Sequence, residues 1–142
     1  MSTENLKANQ IDIENASKNN LAKPLINRLK LNEDSISSIV KSITEIKNQP
    51  DPIGKILEEW SQPNGLKFSK ISVPLGVLGV IYESRPNVTS DVASLCFKSG
   101  NSVILKGGSE AFYSNLILSK LFRRSLKKNR VNETFKRSIH QG

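Results

Sequence analysis

Five consecutive residues, Lys-Gly-Gly-Ser-Glu at positions 106–110, have side chains and spacing suited to binding an anion. Gly107 and Gly108 would allow positive φ angles and a close approach of the backbone to a ligand. A helix after them would offer unpaired N–H groups to an anion, and Lys106 would add a full positive charge. The alternative is an ordinary tight turn with a solvated lysine. The segment matches neither GxGxxG nor GxxxxGK[ST], so both interpretations stay open.

Asn87, in the segment SRPNVT, is the second candidate for chemistry. Its side-chain amide could donate to a carbonyl oxygen that develops negative charge. The alternative is a turn in which the same side chain bonds its own backbone, and spacing alone favours that role. Arg85 could bind a phosphate or a carboxylate, although pairing at the surface with Glu83 or Asp91 is the simpler interpretation.

Cys96 and His140 are the only cysteine and the only histidine in the chain. One cysteine excludes an intrachain disulfide and a multi-cysteine zinc site, and no metal site is predicted. Cys96 falls in the middle of a predicted helix with no histidine nearby, which indicates a small core residue and not a nucleophile. His140, in a basic tail, is interpreted as a solvated side chain.

Two strands and two helices must position these residues. Residues 73–82, VPLGVLGVIY, form a nearly continuous apolar run, which predicts a strand buried on both faces of a parallel sheet. A helix over 91–98 follows, with Thr89 or Ser90 as its cap and Gly100 as its stop. A second strand over 102–106 leads into a long helix to about residue 128, whose predicted buried face contains Ile117, Leu118, Leu121, Phe122 and Leu126.

The order strand, helix, strand, helix predicts an α/β protein with a parallel sheet. Since parallel strands joined by a helix cross over in a right-handed sense, the loops after the two strands emerge at the same edge. We therefore expect Asn87 and residues 106–109 to lie at one rim of the sheet.

The first 72 residues predict helices followed by turns and an extended strand. Residues 4–20 predict a weak surface helix, 22–31 a short helix behind Pro24, and 33–48 an amphipathic helix capped by Asn32. Turn residues dominate 51–65, residues 53–60 fit either a turn or a strand, and 66–73 fit an extended strand.

Composition excludes several classes of protein. The chain has 142 residues, of which 37% are hydrophobic and 24% charged, enough for one core with polar flanks. The net charge is +8, of which +7 lies in residues 112–142, so a small basic nucleic-acid-binding module is an alternative. Few aromatic residues accompany those charges, which argues against nucleic acid. There is no membrane-spanning run or signal peptide, and we expect a cytoplasmic protein.

Residues 73–115, VPLGVLGVIYESRPNVTSDVASLCFKSGNSVILKGGSEAFYSN, closely resemble the gamma-glutamyl phosphate reductase (glutamate-5-semialdehyde dehydrogenase) family of the aldehyde dehydrogenase superfamily. The resemblance implies a partial aldehyde-dehydrogenase-like fold, in which N-terminal helices precede a βαβα unit of a Rossmann-like parallel sheet. We expect a helical segment over 1–50, a partial cofactor-binding α/β region over 51–128 and a basic tail over 129–142.

The resemblance also implies a reaction, the NADPH-dependent reduction of L-glutamyl 5-phosphate to L-glutamate 5-semialdehyde in proline biosynthesis, by way of a cysteine thioester. By position in the motif, Asn87 matches the asparagine that steadies the oxyanion. The positions that hold the adenosine ribose and 2′-phosphate of NADP(H) are matched by Lys106, Gly107, Gly108, Ser109 and Glu110. Cys96 matches a cysteine that is not the family's nucleophile.

Members of this family are considerably longer, and their nucleophilic cysteine lies beyond position 142 of this numbering. We therefore expect an oxidoreductase fragment, truncated at both ends, that does not catalyse the reaction alone, because no thiolate would take up the acyl group. One alternative is half of a split reductase, completed by a partner chain that carries the catalytic domain. The others are the nucleic-acid-binding module and a decayed gene product without a role.

Overall fold

The computed structural model describes residues 2–83, 85–131 and 136–138, the last three by backbone only. Helices and strands are, in chain order, α1 Ser2–Lys18, α2 Lys23–Leu29, α3 Glu33–Asn48, β1 Ile56–Ser61, β2 Lys67–Ile71, β3 Val77–Tyr82, α4 Pro86–Lys98, β4 Ser102–Gly107, α5 Phe112–Lys128 and β5 Lys136–Ser138, with a 3-10 turn at Ser109–Ala111 before α5. Of the predicted basic tail, His140 lies outside the described residues.

The three N-terminal helices confirm the elements expected there. Asn32 caps α3, since its side-chain Oδ1 accepts from the Ser35 N–H at 2.7 Å. The helix α1 differs from the prediction in its environment, because it is not a surface helix. Its residues Asn9, Asp12 and Ala16 are buried, and α1 packs against α5. The sequence suggested exposure because the buried face of α1 is mostly polar.

Residues 56–71 form an antiparallel hairpin of β1 and β2, which settles the choice between turn and strand in favour of a strand. Gly65 adopts a φ of +86° in the turn that joins them. Trp60 and Phe68 stack across the two strands with ring centroids 5.3 Å apart. Both rings are exposed, so the hairpin projects from the rest of the described chain without burying either face.

The predicted parallel unit is confirmed. Strand β3 pairs in parallel with β4, with Val77 opposite Ser102 and Tyr82 opposite Gly107, and β4 pairs in parallel with β5. One face of this sheet packs on α4 through a core of Cys96, Val103 and Leu105, extended by the half-buried side chains of Leu78, Val80, Tyr82 and Val92.

Strand β3 is not buried on both faces, and that prediction was wrong. Val77 and Ile81 on its second face are 65% and 81% exposed. The strand order β3-β4-β5 explains this, because two successive right-handed crossovers in one direction place α4 and α5 on the same side of the sheet. An apolar run shows that both faces of a strand can be buried. Whether both are buried depends on the helices that pack on the sheet.

The helix α4 begins at Pro86, earlier than predicted. Proline suits the first turn of a helix because its missing N–H would have no partner there. Thr89 and Ser90, the predicted caps, are therefore buried inside the helix, and Asn87 lies in its first turn. Gly100 ends the helix region with a φ of +69°, as expected. Leu95 of α4 is exposed.

The helix α5 matches the predicted long helix. Leu118 and Leu126 are buried, while Ile117, Leu121 and Phe122 are half-buried. Its other buried side chains are polar, namely Ser114, Asn115 and Ser119. Among the described residues, no helix has the length and apolar character needed to cross a bilayer.

Candidate functional site

The carboxyl ends of β3 and β4 meet at one edge of the sheet. The pairing of Tyr82 with Gly107 ends the ladder, so the chain leaves both strands on the same side. Asn87 follows β3 in the first turn of α4, and Lys106 is the exposed penultimate residue of β4. The structure therefore confirms that the two predicted segments lie at the same edge.

Gly107 and Gly108 do not adopt positive φ angles, which corrects one reason given for them. The glycines with positive φ are Gly54, Gly65, Gly76 and Gly100, whereas Gly108 has φ −62° and ψ 149°. At Gly107 a Cβ would collide with the side-chain amide of Asn115 and lie 3.1 Å from the Tyr82 ring. At Gly108 it would meet the carboxylate of Glu110. Close internal packing, not backbone conformation, requires glycine at position 107.

The N-terminus of α5 is not free to bind an anion, which corrects a second expectation. Asp12 of α1 accepts from the backbone N–H groups of Tyr113 at 3.0 Å and Ser114 at 2.8 Å. Asp12 is 2% exposed. Burial raises the pKa of Asp12, and its hydrogen bonds with Ser114 and Tyr113 oppose that rise. An internal carboxylate thus occupies the place where an external anion would bind.

A series of hydrogen-bonded polar side chains lies beneath Gly107. The Thr89 hydroxyl donates to Asn115 Oδ1 at 2.8 Å, so the Tyr82 hydroxyl, 2.5 Å away, donates to Thr89. Burial raises the pKa of Tyr82. These hydrogen bonds join β3, α4 and α5 and fix the sheet edge that carries residues 106–109. Sequence reasoning missed it because Thr89 was interpreted as a helix cap.

Asn87 lines a cavity of about 390 Å³ between α4 and the α2–α3 region. Its amide nitrogen lies 3.4 Å from Asp91 Oδ2, one helical turn later. The other oxygen of Asp91 accepts from the Ser42 hydroxyl of α3 at 3.0 Å. Asn87 itself is exposed, and one N–H of its amide points to Asp91 while the other remains for a ligand.

Cys96 is a core residue, as predicted. Its side chain is 5% exposed and packs against Val103 and Leu105 of β4. Burial raises the pKa of this thiol, which disfavours the thiolate that a nucleophile requires. In the part of the chain that the structure describes, no three histidine, cysteine, aspartate or glutamate side chains are grouped so as to hold a metal ion.

Comparison with known proteins gives consistent relatives. The chain is 51% identical over 128 residues to the gamma-glutamyl phosphate reductase of Thermodesulfovibrio yellowstonii, a match that covers 90% of this chain and 31% of the relative. It is 48% identical over 127 residues to the protein of that name from Bartonella henselae, covering 89% and 31%. No family model matches the sequence.

Two solved structures agree with these relatives. The crystal structure of gamma-glutamyl phosphate reductase from Thermotoga maritima superimposes with a TM-score of 0.93 at 37% identity, over 96% of this chain and 33% of that one. The corresponding structure from Saccharomyces cerevisiae gives a TM-score of 0.94 at 30% identity, over 99% and 36%. The chain spans about a third of the length of the curated relatives that it matches. Over nearly its whole length, the chain is therefore similar to one part of the gamma-glutamyl phosphate reductases.

Proposed function

We propose that these residues form the cofactor-binding edge and the oxyanion-stabilising asparagine of a cytoplasmic, NADPH-dependent gamma-glutamyl phosphate reductase. The reaction is the reduction of L-glutamyl 5-phosphate to L-glutamate 5-semialdehyde and phosphate, in proline biosynthesis. One observation carries the proposal. In a chain about 50% identical to reductases of that name, Asn87 follows β3 and Lys106 lies at the end of β4, at the edge where α/β sheets bind ligands.

Lys106 is the residue on which NADP(H) binding depends in this proposal. Its ammonium group and the Ser109 hydroxyl belong to exposed residues at the carboxyl end of β4 and its following turn, where they fit a phosphate on a ribose. Because Asp12 already accepts from the first N–H groups of α5, the helix terminus adds little attraction for that phosphate. The Lys106 side chain therefore supplies most of the positive charge. NADPH, when bound, supplies the hydride.

Asn87 acts on the acyl group. Its second N–H can donate to the carbonyl oxygen on which negative charge develops during reduction. Asp91, which accepts the first N–H at 3.4 Å, holds the amide in the orientation needed for this. Gly107, Gly108 and Glu110 are positioned around Lys106 and complete the cofactor side of the edge.

The acyl-accepting thiol comes from polypeptide outside these 142 residues, either in the same chain or in a partner chain. Cys96 is the only cysteine of the sequence, and it is buried with a raised pKa. We expect the 142-residue polypeptide to show no turnover of L-glutamyl 5-phosphate with NADPH. Intact-mass spectrometry after incubation is expected to show no added glutamyl group, and a glutamyl adduct on Cys96 would refute this assignment.

Titration of the polypeptide with NADPH, followed by nicotinamide fluorescence, tests the cofactor site. Loss of a charge-assisted contact costs about 1.5–3 kcal/mol, so Lys106→Ala is expected to weaken NADPH binding by about tenfold or more. The same substitution is expected to weaken the binding of NADH far less, because NADH lacks the 2′-phosphate.

The matched control is Lys120→Ala, which replaces an exposed lysine of α5. It changes the net charge equally and is expected to leave NADPH binding unchanged. Equal NADPH affinity of the unsubstituted chain and Lys106→Ala would remove Lys106 from the cofactor site.

A further inference from the structure

Two adjoining cavities form one groove between α3 and α5. Their volumes are about 650 Å³ and 230 Å³, and both are lined by Ile43, Phe122 and Ser125. The helix α4 packs against α3 and α5 and forms the floor of the groove. Along α3 the lining residues extend from Ile36 to Ile46, which is about 15 Å or three helical turns. The groove is therefore as long as a short helix.

The walls of the groove are apolar and open to solvent. Val40 of α3 is 59% exposed, and Ile43 of α3 and Phe97 of α4 are exposed as well. Single exposed apolar side chains are ordinary on a protein surface, but these line one continuous groove. A contiguous apolar surface of this kind is typical of a site where another part of a protein binds.

Two buried polar atoms in the groove have no hydrogen-bond partner among the described residues. They are the Asn5 side-chain Oδ1 and the Ser94 Oγ, and both residues are more than nine-tenths buried. Asn5 lines the smaller cavity and Ser94 lines the larger one. A buried polar atom without a partner is costly, and native proteins contain few. Both atoms therefore indicate that the groove receives an occupant with polar groups as well as apolar side chains.

The end of the groove where the three helices finish carries positive charge. The helices α3 and α5 run in the same direction, since residues 36–46 and 118–129 line the groove in the same order. Lys47 and Lys98 lie at the end with the higher numbers, against one carboxylate, Asp51. The Lys98 ammonium group is held there by donating to the Lys47 carbonyl at 3.2 Å. Because acidic residues are favoured in the first turn of a helix, an acidic helix that begins at this end complements the two lysines.

We propose that this groove binds an amphipathic helix from the part of the reductase polypeptide that lies outside these 142 residues. The helix runs antiparallel to α3 and α5. Its apolar face packs on Val40, Ile43 and Phe97, and its acidic first turn lies at Lys47 and Lys98. A strand is not favoured as the occupant, because the walls are helices whose backbone groups are already paired. Binding of a helix in an apolar groove is a recurring mode of recognition.

The relatives have the additional polypeptide that this proposal requires. The matched segment makes up 31% of each of two curated relatives, so more than two thirds of their length lies outside it. This inference rests on the proposed function, in which polypeptide outside these 142 residues supplies the acyl-accepting thiol. The groove assigns a place where that polypeptide contacts this one.

Peptides from a relative test the assignment. Overlapping peptides of about 20 residues, longer than the groove, are taken from the parts of the Thermodesulfovibrio yellowstonii reductase outside the 128 matched residues. Their binding to the 142-residue polypeptide is measured by fluorescence anisotropy. We expect one peptide, or a few that overlap, to bind and to gain helical circular dichroism when bound. Binding by none of them, or binding without helix formation, would overturn the proposal.

Val40→Glu tests whether the bound peptide lies in the groove. The substitution removes apolar surface and adds a negative charge, and Val40 is exposed, so the fold is retained. We expect it to weaken peptide binding by about tenfold or more. Leu95→Glu, at an exposed leucine of α4 that lines neither cavity, is the matched control and is expected to leave binding unchanged. Equal losses in the two variants would contradict the proposal.

Ser94→Ala separates a role in binding from a role in the fold. Since the Ser94 hydroxyl is buried without a partner in the free chain, its removal is expected to leave the midpoint of urea unfolding unchanged or to raise it. The same substitution is expected to weaken peptide binding about twofold to tenfold, because a hydrogen bond with the helix is lost. A lower midpoint with unchanged peptide binding would show that this hydroxyl serves the fold and would refute its place in the site.

Sedimentation velocity and the NADPH titration complete the test. If Val40→Glu abolishes association of the chain with itself, a second copy occupies the groove and the proposal is wrong. NADPH binding that depends on Lys106, without binding of any peptide, would refute the groove assignment alone. Peptide binding without NADPH binding would refute the cofactor site alone.

Discussion

Gly107 and Gly108 are adjacent glycines, and the room for an added methyl group differs between them. A methyl group at position 107 would collide with the amide of Asn115, which is buried and accepts from Thr89. The three atoms nearest to a methyl group at position 108 belong to the carboxylate of Glu110, the end of a flexible side chain. The first neighbour cannot move without breaking a buried hydrogen bond, whereas the second is the far end of a flexible side chain.

We therefore predict that Gly107→Ala lowers the free energy of unfolding by about 1–3 kcal/mol, the usual cost of overpacking a tight site. Gly108→Ala, the matched comparison, is expected to lower it by less than Gly107→Ala does, because only the end of a flexible side chain has to shift. Urea unfolding followed by far-ultraviolet circular dichroism measures both. Similar losses in the two variants would show that Asn115 does not constrain position 107.

At the residue scale, the sequence predicted groups whose partners are near in the chain. Asn32 was identified as a cap because the N–H that it accepts belongs to Ser35, three residues later. Cys96 was identified as a core residue because the helical spacing around it was clear. Asp12 was missed, since its two partners are 101 and 102 residues away and nothing near Asp12 in the sequence marks it as a cap.

At the element scale, Asp12 joins α1 to the start of α5 and thereby fixes the helix that follows residues 106–110. In Asp12→Asn, an NH₂ group replaces one accepting oxygen and faces a backbone N–H. We expect the free energy of unfolding to fall by about 1–3 kcal/mol, the cost of a buried donor left without its acceptor.

The pH dependence of this effect has a definite sign. Burial raises the folded-state pKa of Asp12 above its ordinary value of 3.8. The contribution of its ionisation equilibrium to stability is thus complete below pH 3.8 and decreases as the pH rises through the folded-state pKa. The difference in unfolding free energy between the unsubstituted chain and Asp12→Asn is therefore expected to narrow from pH 3.5 to pH 7.

Urea titrations at each pH measure this difference, with Glu14→Gln, an exposed position of the same helix, as the control. The control is expected to show a small difference that does not follow this trend. A difference for Asp12→Asn that widens with rising pH would mean that the hydrogen bonds with Ser114 and Tyr113 outweigh burial and lower the pKa.

Sequence patterns predicted most of the helices and strands, but not how they meet. The apolar spacing of α3 and the Val-Ile-Leu content of β4 each decide a secondary structure locally, and both elements were found where expected. The start of α4 was misplaced because Pro86 and Thr89 are both acceptable first-turn signals, and only the bonds of Thr89 with Tyr82 and Asn115 show why the helix starts at Pro86. The cavity beside Asn87 was missed because its walls come from α2, α3 and α4.

At the scale of the whole molecule, the sheet is covered by helices on one face only. The second face of β3 exposes Val77 and Ile81, and the hairpin adds further exposed apolar side chains. Since β3 is also the edge of its sheet among the described strands, its free backbone groups lie beside this apolar face. An apolar surface next to an unpaired edge favours association of one copy with another.

We predict that the 142-residue polypeptide associates in a concentration-dependent manner and binds a hydrophobic dye, and that Val77→Thr with Ile81→Thr reduces both. Threonine keeps the β-branched shape that suits a strand, so the double variant is expected to retain the fold while removing apolar surface. Val40→Thr is the control, since Val40 is similarly exposed but lies on α3. Sedimentation velocity and dye fluorescence measure association and exposed surface. If the double variant and the control associate as strongly as the unsubstituted chain, the open face of β3 is not what drives association, and the exposed rings of the hairpin become the surface to substitute next.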